Sequence, residues 1–332
     1  VLEEGDLVLS LGAGNIHEAG ARLVDDLKKR DQLQGIMGVG RIKLYEPLSK
    51  HTTMRVGGPA QFWAEPETEE GFADLVRFCF DENIPLMVMG RGSNLLVRDG
   101  GIPGVVVHLA RGEFAHHEIL GMEISAGVGV KFKQLTGLAR TAGIAGFEWM
   151  EGIPGNVGGA LRMNAGAMGG WIWDVTEEVQ FLRPDGEIAV RLRAEMGVDY
   201  RQCRGLEGAI ALGALLRPAA QAEGEAIGRQ IDVYRRKRQE SQPKERSAGC
   251  VFRNPPGGAA GRLIDEAGLK GAREGDAQVS AVHANFIVNL GAARAADVFA
   301  LMRRVRATVR ERSGVQLEPE VLCFGRSWEE FL

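Results

Sequence analysis

Proline and aromatic residues are scarce in this chain, with 12 prolines and 6% aromatics among 332 residues. No segment approaches the roughly 20 consecutive apolar residues that cross a bilayer, so no membrane helix is expected. The four cysteines (Cys79, Cys203, Cys250, Cys323) include no CxxC pair, and His and Cys show no zinc-type spacing. No metal site is therefore expected, and scattered single cysteines point to free thiols in a reducing compartment. Neither sign of charge dominates: the formal net charge is -4, which offers no basic field for nucleic acid or a membrane surface. Acidic residues precede the apolar stretch at the start, the wrong polarity for a secretory signal, so the cytoplasm is the expected location. There is neither a Walker A loop nor a GxGxxG fingerprint, which disfavours ATP and a Rossmann-held nicotinamide.

Glycine is abundant instead, at 46 residues. Without low-complexity repetition, that number implies tight turns and close backbone approaches to a ligand. The hydrophobic and charged fractions, 45% and 25%, are those of a globular protein.

Periodicity gives a coarse α+β reading. Asp6–Asn15 reads as a strand entering a glycine turn, followed by a helix over Glu18–Lys29 and a linker over Gly35–Gly40. Gln61–Glu65, Pro85–Met89, Val105–Leu109, Glu123–Ala126 and Ile210–Leu216 read as strands. Glu69–Glu82 and Phe132–Ala142 have helical spacing, the latter ended by Gly143. Val179–Leu182 and Ile188–Arg191 form a hairpin around Pro184-Asp185-Gly186. Beyond a composition shift at Pro218–Gly224, helices are expected over Ala226–Gln239, Gly261–Ala267 and Ala295–Ser313. Ser241–Asn254 reads as a polar loop, and Val315–Cys323 as a closing strand.

Two glycine-rich segments carry the chemistry. In the first, a buried strand delivers Gly90, Arg91, Gly92, Ser93, Asn94 and Leu95, where small residues let backbone N–H groups approach an anion. The second comprises Gly152, Ile153, Pro154, Gly155, Asn156, Gly158 and Gly159, then Met163, Asn164, Ala165 and Gly166. It reads as a long backbone-lined surface suited to a planar ligand carrying a diphosphate. Three further segments are Tyr200-Arg201, Gly249-Cys250 with Asn254, and Glu318-Pro319-Glu320. Taken singly each has a bland reading: a strand end, a buried thiol, surface acids.

In combination and order they do not. "GRGSNLLVRDGG", "GIPGNVGGALRMNAGA", "YRQC", "AGCVFRNP", "AGLKG" with "HANFIVN", and "LEPEV" together resemble the UDP-N-acetylenolpyruvoylglucosamine reductases, from about Lys43 to Gly325. The resemblance implies a two-part FAD-binding domain of the vanillyl-alcohol-oxidase type plus a smaller α+β substrate-binding domain. The implied division is 39–110 and 111–220 for the FAD-binding parts and 221–326 for the substrate domain, with 327–332 as a tail. It also implies that Arg55, Gly57 and the two glycine-rich segments line FAD, that NADPH is the hydride donor, and that a UDP-sugar is the substrate. Arg201 and Glu320 resemble the family's enolate-stabilising pair. Cys250 stands where the family usually has a proton-donating serine; a thiol titrates closer to neutrality than an alcohol, and it implies sensitivity to oxidants and alkylating agents. Tyr200, Lys237, Arg238 and Asn254 resemble substrate-facing residues. The chain looks like the subtype lacking the tyrosine-bearing nucleotide clamp.

The leading segment, 1–38, is similar to the C-terminal end of the UDP-N-acetylmuramate–alanine ligases, so a fusion to an upstream ligase is an expectation. An FAD oxidase of the same fold acting on a small alcohol or hydroxy acid is the rival reading.

Overall fold

The computed structural model describes residues 16–218, 220–325 and 328. The strand expected over Asp6–Asn15 lies outside the described residues. Helix α1 (Ile16–Met37) runs straight through the expected linker, with Gly35 inside its last turn. Leu33 and Met37 are fully buried against the next subdomain. The Tyr45 hydroxyl donates to Asp26, and Gln61 Nε2 donates to the same carboxylate at 2.8 Å, which pins α1 to the sheet beneath it.

That sheet contains β1 (Gly40–Pro47), β2 (Pro59–Pro66), β3 (Leu86–Val88) and β5 (Ile102–Val107), in the order β1-β2-β5-β3. β5 runs parallel to β2 and β3, and α2 (Glu69–Asp81) packs on one face, N-capped by Thr68. Between β3 and β5 the chain makes the first glycine-rich turn and the short β4 (Leu95–Val97). The second subdomain is an antiparallel sheet of β6 (His117–Leu120), β7 (Glu123–Gly127), β8 (Thr176–Leu182), β9 (Ile188–Leu192) and β10 (Ile210–Leu216). Helix α3 (Phe132–Ala142) and a short helix α4 (Val157–Met163) cover it. α4 lies inside the second glycine-rich segment, which reads from sequence as a backbone-lined surface and not as a packed helix. Val157, Ala160 and Leu161 supply an apolar stripe long enough for two turns.

Helix α5 (Gly224–Ser241) follows, and its buried Ile227 and Ile231 face the second subdomain rather than the C-terminal one. The C-terminal unit starts with β11 (Arg246–Cys250), which corrects the polar-loop expectation there. It then adds α6 (Ala260–Glu266), β12 (Arg273–Glu274), β13 (Ala277–Val279), β14 (Phe286–Asn289) and α7 (Ala295–Ser313). The expected closing strand is strand only at β15 (Leu322–Phe324), which pairs parallel with β4. Most of Val315–Val321 runs as irregular chain, touching β11's end through a single Phe252–Pro319 bridge.

The C-terminal unit shares its core with the first subdomain: Met54, Val56 and Leu96 pack among Phe252, Ile287, Met302 and Leu317. Polar links reinforce the junction. Thr53 Oγ1 donates to Ser247 O at 2.7 Å, Asn289 Nδ2 donates to Met54 O at 2.9 Å, and the Asp99 carboxylate accepts from Ala295 and Ala296 at the start of α7. A negative charge there also suits the helix dipole. No helix among the described residues is long and apolar enough to cross a membrane.

Candidate active site

Three chain segments distant in sequence meet where the units join. Arg201 Nε donates to Glu320 Oε1 at 2.8 Å, and the Tyr200 hydroxyl donates to Glu320 Oε2 at 3.3 Å. Glu320 is buried, so this carboxylate has exchanged water for one guanidinium and one phenol. The guanidinium carbon also lies 5.9 Å from the Trp171 ring centroid and 5.2 Å from that of Tyr200. Aromatic faces on two sides and a carboxylate on the third leave the cation one direction in which to act. A cavity of about 780 Å3 has Asn164, Trp171, Asp199 and Tyr200 in its wall and continues past Asp174, Leu192 and Arg193; Arg201, Glu320 and Cys250 do not line it.

Cys250 enters the site through a bulge. Arg246 and Ser247 pair with Asn289 and Val288, whereas Cys250 pairs with Phe286, so one extra residue sits on the β11 side. Gly249, at φ 78°, takes the left-handed conformation that such a bulge needs. Because side chains alternate, the inserted residue changes the face to which Cys250 belongs. Burial pushes the thiol up to about 11; Glu320 adds to the shift, while the Arg201 charge and the neighbouring Asn285 amide oppose it. A thiol so placed stays protonated at neutral pH. The expected sensitivity to alkylation and oxidation is corrected accordingly, since the reactive species is the thiolate.

The glycine-rich segments frame the rest. Met89, just before the first turn, hands its carbonyl to His108 Nδ1 at 2.9 Å, and His108 stacks on Trp63, which stacks in turn on His51. A Cβ at Gly92 would strike His51 O at 2.5 Å, and one at Gly57 would strike Val97 Cβ at 2.7 Å. Arg91 N–H donates to Asn156 Oδ1 at 3.1 Å, tying the two segments together. Asn94 Nδ2 donates to Glu320 O at 3.2 Å, so the first turn also braces the acid. Gly159 would meet nothing within 4 Å and Gly155 only Ile153 Cγ2 at 3.9 Å, so the space beside their Cα atoms is open. Three buried side-chain polar atoms find no partner among the described residues: Trp63 Nε1 in the first subdomain, and Asn164 Oδ1 and Arg238 Nε near the second glycine-rich segment. Arg238 lies over Gly152, whose added Cβ would meet its Cδ at 2.8 Å, and burial lowers its pKa against the pull of Glu151. A bare-backbone cradle with an orphaned acceptor and an orphaned cationic donor fits a large ligand bearing donors and anionic groups.

The structure thus brings Arg201, Glu320, Tyr200 and Cys250 together, reaches them from the first glycine-rich turn through Asn94, and ties that turn to the second segment through Arg91 and Asn156. Arg55 holds a left-handed φ of 59° and donates to Lys50 O, away from the ion pair. Lys237 is exposed on α5. Asn254 is occupied locally, its Oδ1 accepting from Ala260 N–H at the start of α6. Trp171, Asn285 and His108 were not singled out from the sequence. Asn285 lies within the quoted "HANFIVN"; a lone tryptophan or histidine gives no sequence signal.

Fold and site define a flavin-dependent oxidoreductase: the family model for the FAD binding domain matches residues 60–191. A second, the C-terminal domain of UDP-N-acetylenolpyruvoylglucosamine reductase, matches residues 242–324, beginning where α5 ends. UDP-N-acetylenolpyruvoylglucosamine reductase 2 of Symbiobacterium thermophilum is 45% identical over 293 residues, covering 87% of this chain and 94% of the relative. The reductase of Geobacter metallireducens is 44% identical over 287 residues, 86% of this chain and 95% of its own. The crystal structure of the Thermus caldophilus reductase superposes with a TM-score of 0.74 at 42% identity, covering 86% of this chain and 98% of that one. The chain belongs to the UDP-N-acetylenolpyruvoylglucosamine reductase family. The expected α+β architecture, a two-part FAD-binding domain with a smaller C-terminal unit, is borne out, and the family decides for a reductase over an oxidase.

Proposed function

We propose that this enzyme reduces the enolpyruvyl ether of UDP-N-acetylglucosamine to UDP-N-acetylmuramate, a step of peptidoglycan precursor synthesis, with NADPH as the electron source. The observation that carries the residue assignments is the convergence of Arg201, Glu320 and Tyr200 on one buried carboxylate next to a protonated thiol. Gly90–Leu95, Gly152–Gly159 and Met163–Gly166, with Arg55 and Gly57, would hold FAD. Bound there, FAD would supply hydride-transfer chemistry between NADPH and the alkene.

Hydride addition to the terminal alkene carbon leaves negative charge spread towards the substrate carboxylate. Arg201 faces that charge. Its orientation is fixed by Glu320 and the two aromatic rings, so little reorganisation is needed as the charge develops. Glu320 keeps the guanidinium in place and tempers its charge. Cys250 then gives its proton to the carbon beside the carboxylate: the S–H bond breaks, a C–H bond forms with the enolate's electron pair, and the thiolate recovers a proton from water. Raised as it is, the thiol holds its proton until a strongly basic carbanion forms. Arg238 and Lys237 bind phosphate or carboxylate groups of the incoming nucleotides, and Tyr200 flanks the substrate.

Stopped-flow mixing tests the reading. Enzyme reduced by NADPH should be reoxidised rapidly by the enolpyruvyl sugar nucleotide and slowly by oxygen. Reoxidation by oxygen that ignores the sugar nucleotide would refute it.

A further inference from the structure

The bulge that presents Cys250 interrupts the ladder, and the residues that follow it must find other partners for their backbone polar groups. Asn285 provides them. Its Nδ2 donates to Phe252 O at 2.8 Å and its Oδ1 accepts from Phe252 N–H at 3.0 Å, while its own carbonyl accepts from Val251 N–H at 2.8 Å. The side-chain amide replaces a missing peptide partner, a pairing that needs one donor and one acceptor in a single planar group. Asn285 is 3% exposed, so water cannot substitute for it.

The clamped residues serve both halves of the site. Val251 O accepts from Glu320 N–H at 2.8 Å, and Arg253 N–H donates to Glu318 O at 2.8 Å. One step from Asn285 therefore reaches the residue after Cys250, and two steps reach the backbone of Glu320.

We propose that Asn285 is a positioning residue for proton transfer, fixing Cys250 and the Glu320–Arg201 pair in register through the Val251–Phe252 backbone. The proposal rests on the reading of Cys250 as proton donor. Asn285 itself touches no reacting atom in this scheme.

The test uses full-length, FAD-loaded enzyme and separates the two half-reactions. Asn285→Asp keeps an acceptor for Phe252 N–H and loses the donor; Asn285→Ala loses both. Both variants should be reduced by NADPH within about twofold of the wild-type rate, a readout that also reports an intact fold. Product formed in a single turnover of reduced enzyme should slow on the order of 100-fold, the scale of loss that small misplacements of reacting groups produce. The solvent deuterium isotope effect on that turnover should rise, because proton transfer becomes limiting. In a Cys250→Ala background, Asn285→Asp should add little further loss, as expected for residues acting as a unit.

Equal loss in both half-reactions, an unchanged isotope effect, or full additivity with Cys250→Ala would each overturn the proposal and leave the proton-donor reading standing. Wild-type product formation by Cys250→Ala alone would instead overturn the donor reading, and the proposal with it.

Discussion

Iodoacetamide labelling of Cys250 puts the electrostatics of the site to a quantitative trial. A thiol that titrates at about 11 rather than 9.0 carries about a hundredth of the usual thiolate at neutral pH, and only the thiolate reacts. The more basic thiolate is the better nucleophile; a Brønsted coefficient of about 0.4–0.5 returns a little under tenfold of that loss. Ionisation alone therefore slows labelling by roughly tenfold, and the burial of the sulfur can only add to it. The tryptic peptide Ser247–Arg253 contains this cysteine and no other, so mass spectrometry can follow it against the same peptide from denatured chain. Charge removal should split by sign. Glu320→Gln takes away an anion that raises the thiol's pKa, so labelling accelerates; Arg201→Gln takes away a cation that lowers it, so labelling slows further. Cys250 labelled as fast as the denatured peptide, or the two variants moving in the same direction, would refute the reasoning.

Two further predictions concern the first glycine-rich turn. Gly92→Ala forces a side chain onto a φ of 60° with a carbonyl 2.5 Å away; the left-handed backbone alone costs about 1–2 kcal/mol, so the melting temperature should fall and FAD should no longer co-purify. Gly100→Ala, with open space around its Cβ, is the control expected to change neither. His108, which holds Met89 O, has its pKa lowered from 6.5, chiefly by burial. Its neutral form is the one the fold favours, so its contribution to stability is complete above 6.5 and is lost as pH falls below it. Melting temperatures from pH 8 down to pH 5 should drop more steeply for wild type than for His108→Asn; parallel curves would exclude this histidine as the cause.

Local signals carried much of the fold. The spans Phe132–Ala142, Ile210–Leu216 and Ala295–Ser313 are elements to the residue, and both of those helices end on glycines in the left-handed conformation, Gly143 and Gly314. What escaped was set by partners far away in sequence. Leu322–Phe324 is a strand because Leu95–Val97 lies beside it, more than two hundred residues earlier, while the preceding Val315–Val321 pairs, among the described residues, only with Val251–Arg253 through the isolated Phe252–Pro319 bridge. Arg246–Cys250 looks like polar loop because it opens on an exposed arginine, buries only Ala248 fully and spends its glycine on a bulge, yet β14 provides a ladder. α1 extends through Gly35 because burial of Leu33 and Met37 outweighs the roughly 1 kcal/mol helical penalty of one glycine.

The site shows a different kind of illegibility. Among the described residues, six that are not glycine adopt positive φ: Tyr45, Arg55, Asn83, Asn164, Met168 and Arg201. Asn83 follows α2 in a turn that tolerates it. Asn164 and Arg201 are another matter, because glycine would take those conformations with less strain. At Asn164 the side chain donates to Asp199 O at 3.0 Å and leaves its oxygen unpartnered beside the cavity; at Arg201 it makes the ion pair with Glu320. Strain of this kind persists where a side chain is required at a backbone position that disfavours it. Sequence propensity reads both residues as ordinary, since it scores what a residue prefers and not what the surrounding fold compels. At Asn164 and Arg201 the disfavoured backbone is therefore kept for a side-chain contact that glycine could not make.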